Sequence, residues 1–196
     1  ASDFDLASSA EYNTTGVILY TQTHPPVGGL ANIHNNIRQM HTDGLRIFQL
    51  SYSSSSKHNQ GVDEKLAHGT TGGYTSDFVN ASDQSGVTAL GAVAISVLNS
   101  LRMAVDVSHQ NSKSTLDAAR LSKQPIVATH ANARNVSLSS GRNMIDAEIL
   151  AIAGTGGVVC VMTLDRFIYD GASADITHYL DHIDYMIKLL DANKDT

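Results

Sequence analysis

The sequence predicts an α/β protein made of consecutive parallel βα units, an incomplete (β/α)8 barrel of the TIM type. Three observations carry this reading. Short β-branched runs alternate with amphipathic helical stretches about five times along the chain. The length of 196 residues is short of the ~250 that a full barrel typically needs. Two neighbouring strand-like runs, "MAVDVSH" and "PIVATH", each stop on a histidine, at the strand end where barrels carry their sites. The whole of residues 1–196 is read as one domain, with barrel segments missing at both ends.

The elements follow in order. "GVILYTQ" (16–22) is β-branched and aromatic and reads as a strand. "ANIHNNIRQMHTDG" places Ile33, Ile37 and Met40 at helical spacing and stops at Gly44. "LRIFQLSY" (45–52) is the next strand, followed by a polar loop over 53–82 rich in Ser, Gly and Thr. "SGVTALGAVAISVLNSL" carries one apolar helical stripe from Val87 to Leu101. After "MAVDVSH", a helix over "SKSTLDAARLS" is expected to start from Ser112 or Ser114 as N-cap. "IVATH" follows Pro125, and "NMIDAEILAIAG" is a helix closed by Gly154. "GTGG" at 154–157 lies between a helix and a strand, the wrong order for a dinucleotide fingerprint, and reads as a tight turn. "GGVVCVM" is a strand that places Cys160 in the core, with no second cysteine for an internal disulfide. The final helix, "ADITHYLDHIDYMIKLL", puts Ile176, Leu180, Ile183, Ile187 and Leu190 on one face and leaves His178 and His182 on a solvated one.

Composition narrows the function classes. A 42% apolar, 16% charged chain can bury a core. The net charge of −6, without a basic run, argues against nucleic acid and anionic membrane surfaces. No window reaches the ~18 uninterrupted apolar residues of a membrane span. The opening residues show neither the basic start nor the apolar stretch of a signal peptide, and the compartment stays open.

The two histidines carry the chemistry. Alternation along a strand puts Val105, Val107 and His109 on one face, and Ile126, Ala128 and His130 on another. Adjacent parallel strands lie within ~5 Å, so two imidazoles at matching ends can converge on one metal ion. The alternative is a pair of core-edge histidines bonded to neighbouring carbonyls.

The run "DVSHQNSKSTLDAARLSKQPIVATHANAR…RN" resembles the membrane (renal) dipeptidase family of zinc peptidases. Asp106, Ser108 and His109, then Pro125, His130 and Asn132, then Arg142 and Asn143, match that family's pattern, and "GLRIFQLSY" and "GGVVCVM" are similar to its flanking strands. The resemblance implies a dipeptide-cleaving hydrolase with two zinc ions. It makes His109 and His130 ligands of one zinc and Arg142 the clamp on the substrate's carboxylate, a task suited to a bidentate guanidinium. Arg134 is the competing candidate for the clamp. Tyr52 falls at a substrate-contacting position, and Asn143 beside Arg142 belongs to the same substrate-binding group. Gln22 stands where the family has a bridging glutamate; a neutral amide cancels none of the repulsion between two cations. No His-x-Asp pair precedes residue 16, and the chain stops where the family's proton-transfer aspartate should follow, so no catalytic acid or base is assigned. Two readings stand: a metallo-dipeptidase of which this chain carries part of the site, and a non-catalytic ligand-binding relative. Either admits a homodimer.

Overall fold

The computed structural model describes residues 17–22, 26–52, 66–67, 86–138 and 141–194. Apart from Leu66 and Ala67, the expected polar loop over 53–82 lies outside them. The described strands are β1 (Leu19–Thr21), β2 (Leu45–Gln49), β3 (Ala104–Asp106), β4 (Ile126–Ala128) and β5 (Val158–Val159). They form one sheet in the order β1-β2-β3-β4-β5, and every neighbouring pair is parallel. Helices α1 (Gly29–Thr42), α2 (Ala89–Ser100), α3 (Ser112–Leu121) and α4 (Asp146–Gly154) connect the strands; α5 (Asp165–Ile168) and α6 (Ile176–Ala192) follow the last one. Sequential parallel strands joined by helices are the expected α/β architecture, consecutive units of a (β/α)8-type barrel.

Local chemistry explains the elements. Ile33 and Ile37 bury the inner stripe of α1, and Gly44, at φ +104°, turns the chain into β2. Thr88 caps α2 by accepting from the Gly91 amide at 3.0 Å. A side chain at Gly91 would collide with the Leu66 carbonyl, so only glycine lets these segments approach. The cap of α3 is Asn111, whose side chain accepts from Ser114 N at 2.8 Å, and not Ser112 or Ser114. Its carboxamide sits one residue outside the first helical position, where an N-cap acceptor is needed. Phe48, Val105, Ile126 and Ala128 supply the core from the strands, and Leu98, Ile149 and Ile152 from the helices.

Two further expectations are corrected. Cys160, just past the border strand β5, is exposed. α6 is rotated: His182 and Met186 are buried, while Ile176, Leu180 and Ile187 are exposed. On the inward face His182 bonds the Ala133 amide and the Ile168 carbonyl. Ile183, Ile187 and Leu190 instead line an apolar cleft with α4 and β5, a different place from the histidine cluster. α5 was not anticipated at all; Asn132 and Asn143 both bond its Phe167 carbonyl.

Candidate functional site

The site grows from two turns just beyond β3 and β4. The β3 ladder ends at Asp106, so His109 does not extend a strand; it sits in a turn with φ +68°. That left-handed conformation is costly for a residue with a Cβ and swings the imidazole over the strand ends. Asp106, fully buried, ties the two turns together. Its Oδ1 accepts from the Ser108 amide at 2.8 Å and the Thr129 amide at 3.2 Å, and its Oδ2 accepts from the Thr129 hydroxyl at 2.6 Å. The His130 amide donates to Ser108 Oγ at 3.2 Å, and Thr129 Oγ1 lies 2.8 Å from His130 Nδ1.

The rings form a continuous cluster. Tyr52, just past β2, stacks on His109 with centroids 4.0 Å apart, and His109 meets His130 edge-on at 4.9 Å. Arg142 reaches the same place from the loop before α4. It is only 4% exposed, and its Nη2 donates to the His130 carbonyl at 3.0 Å. Burial, the Arg142 charge and His130 together push the His109 imidazole down to about 2. Burial and Arg142 lower His130 as well, against the opposing pull of Asp106. Both rings are therefore held neutral, the form that binds metals. Among the described residues, His130 Nε2 is buried without a hydrogen-bond partner.

The other residues singled out by the sequence fall differently. Gln22 is exposed at the end of β1, and its backbone carbonyl accepts from Gln49 Nε2 at 2.6 Å. Asn143 spends its amide on the Ser137 and Phe167 carbonyls, at 2.9 and 2.8 Å, fastening the loop that bears Arg142. Arg134 is a loop fastener too: Nε donates to the Asn143 carbonyl and Nη2 to the Gly141 carbonyl, both at 3.0 Å. Among the described residues, no three His, Cys, Asp or Glu side chains gather closely enough to hold a metal. Sequence reasoning gave no role to Asp106 or Thr129. The available signal was a carboxylate within the apolar run "AVDV", a position where a charge must find partners.

Two neighbouring histidines and a buried arginine thus lie together at the carboxyl mouth of the parallel βα units. Comparison with known proteins specifies the family. The chain belongs to the membrane dipeptidase family, peptidase family M19, whose sequence profile matches residues 25–193. A Klebsiella pneumoniae protein from the pqqA 5′ region, itself uncharacterised, is 36% identical over 123 residues, covering 60% of this chain and 45% of that protein. A Rhodobacter sphaeroides metallopeptidase, solved with a phosphinate mimic of the dipeptide L-Ala-D-Ala, superposes with a TM-score of 0.66 at 26% identity, covering 88% of this chain and 46% of that one. A Pseudomonas aeruginosa amidohydrolase shares the fold, with a TM-score of 0.74 at 20% identity, covering 94% of this chain and 50% of that one. The chain thus spans about half the length of these proteins. Among the described residues, no helix is long and apolar enough to cross a membrane.

Proposed function

We propose that this chain supplies the zinc-binding histidines and the carboxylate clamp of a dipeptide-hydrolysing site. The observation that carries the reading is His130 Nε2, a buried nitrogen without a partner, on a ring that meets neutral His109 at 4.9 Å. Imidazole nitrogens suit zinc. His109 and His130 would hold the ion. Zinc bound there supplies Lewis acidity toward a peptide carbonyl and toward water. Arg142 brings a fixed positive charge to the same mouth, where it holds the free carboxylate of a dipeptide. Tyr52, stacked on His109, walls the site on the β2 side.

A second reading has its own support. Gln22 carries no charge, and the described residues hold no third ionisable ligand beside the histidine pair. On that basis the chain would bind a carboxylate-bearing ligand without cleaving it. Zinc content and dipeptide hydrolysis separate the two. The hydrolase reading expects zinc to co-purify with the protein, and His109→Ala and His130→Ala each to lose both metal and turnover. Ligand binding that survives both variants, with turnover absent throughout, supports the binding reading instead.

A further inference from the structure

We infer that Asp106 and Thr129 are positioning residues that lock His130 as its Nδ1–H tautomer and so keep Nε2 bare for a metal. The inference rests on the zinc reading for its purpose, but the hydrogen-bond argument stands without it.

Asp106 Oδ1 already accepts two backbone amides, and a carboxylate oxygen has no proton to give. The Thr129 hydroxyl has a single proton, and at 2.6 Å it goes to Asp106 Oδ2. Thr129 Oγ1 therefore faces His130 Nδ1, 2.8 Å away, as an acceptor, and the proton between them must sit on Nδ1. A neutral imidazole with hydrogen on Nδ1 has a lone pair on Nε2. That nitrogen is the buried, unpartnered one. Ser108 fits the same scheme: its Oγ accepts from the His130 amide, which leaves its own proton for Thr129 Oγ1 at 3.4 Å. A carboxylate that orients a ligating histidine through its far nitrogen is a known way to fix tautomer and ring direction. Here a hydroxyl is interposed, and it comes from the residue next to the ligand, so one turn supplies both.

The test is nitrogen NMR of the imidazoles in metal-free protein at mildly alkaline pH, combined with zinc affinity from chelator competition. The wild type should show His130 protonated on Nδ1 and bare on Nε2, with its signals assigned by their loss in His130→Gln. Thr129→Ser keeps the hydroxyl and should keep both tautomer and affinity. Thr129→Val removes it; the tautomer should shift toward Nε2–H, and zinc affinity should fall roughly ten- to hundredfold. A wild-type His130 protonated on Nε2 overturns the inference, and this holds even if Thr129→Val does not fold. So does a folded Thr129→Val that retains the tautomer, or one that changes tautomer yet binds zinc as tightly as wild type. If the wild type binds no zinc while the tautomer responds as expected, the zinc reading falls and the relay stands.

Discussion

His130 and His182 invite comparison. His182 is fully buried and His130 half-buried, and burial lowers both imidazoles below the ordinary value. They differ in what their nitrogens do. His182 Nδ1 accepts from the Ala133 amide at 3.1 Å, and its Nε2 donates to the Ile168 carbonyl at 3.2 Å. It is a pin between α6, α5 and the loop after β4. His130 has one nitrogen engaged and the other buried and unpartnered. Burial and a shifted pKa are thus common to a scaffold histidine and a site histidine, and partner accounting separates them. Arg134 and Arg142 form a second such pair. Both bond loop carbonyls, but Arg142 does so beside the two site histidines, and its charge lowers both of them.

The sharpest way to break the first comparison is to remove each histidine. His130→Ala should abolish zinc retention. His182→Ala should leave zinc bound but lower stability, because each buried backbone group stripped of its partner costs ~1–3 kcal/mol. Metal analysis and urea midpoints on the same samples decide it. Equal zinc loss in both variants would erase the distinction.

The arginine pair should separate by ligand. Arg142→Lys keeps the charge but loses the planar fork, a loss of ~1.5–3 kcal/mol for one charge-assisted hydrogen bond. That is roughly a ten- to hundredfold weaker affinity for a dipeptide with a free carboxylate. C-terminally amidated peptides should bind poorly from the start and lose far less. Arg134→Lys should lower the melting temperature and leave the ratio between the two peptide forms unchanged. Equal losses for free and amidated peptides in Arg142→Lys would mean that it acts through loop structure.

Acid sensitivity sharpens the comparison further. His109, His130 and His182 all have folded values below the unfolded 6.5. Between the two values the unfolded chain binds more protons. Their contribution is therefore complete above about pH 6.5 and is lost as pH falls, by at most ~1.4 kcal/mol per pH unit for each histidine. Glu148 is buried and raised above its usual 4.5, so its sign is opposite: its contribution is gained as pH falls through its folded value. In metal-free protein, unfolding free energies at pH 7 and pH 5.5 should differ accordingly. His182→Gln can keep both hydrogen bonds and cannot titrate, so it should flatten the dependence by about one proton. Zinc should suppress the part due to His109 and His130 and leave the His182 part untouched.

The fold was largely legible, because alternating βα units leave a periodic record in the chain. The histidine pair was legible for the same reason: each follows a strand, and parallel order aligns the ends. Long-range polar bonds were not. Asp106 meets Thr129 across 23 positions, and nothing local in "AVDV" names its partner. Apolar spacing in α6 favours the opposite face and puts His182 in solvent, while its partners, Ala133 and Ile168, lie 49 and 14 residues away. Alternation was also the wrong reason for placing His109. Its ring reaches the mouth through a left-handed turn that an extended-strand argument cannot foresee.

The smallest expected effect concerns that turn, and it too has a scaffold counterpart. Among the described residues, two other than glycine have positive φ, His109 at +68° and Arg102 at +55°. Arg102 follows the C-cap of α2. Its amide donates to the Asn99 carbonyl, and that of Met103 donates to the Leu98 carbonyl, the bonding pattern of a helix end that usually holds glycine. Among the described residues, no site residue bonds the Arg102 side chain. Arg102→Gly should stabilise the protein by up to ~1 kcal/mol and leave zinc affinity alone. His109 carries the same backbone cost but stacks on Tyr52 and presents the imidazole. There the informative comparison is between two variants that both lack the ring. His109→Gly should be more stable than His109→Ala by ~1 kcal/mol, reversing the order expected where φ is negative. Urea titration of the three variants beside the wild type measures all of this. If alanine equals or exceeds glycine at 109, the turn is unstrained, and the position of His109 must be explained by its ring contacts alone.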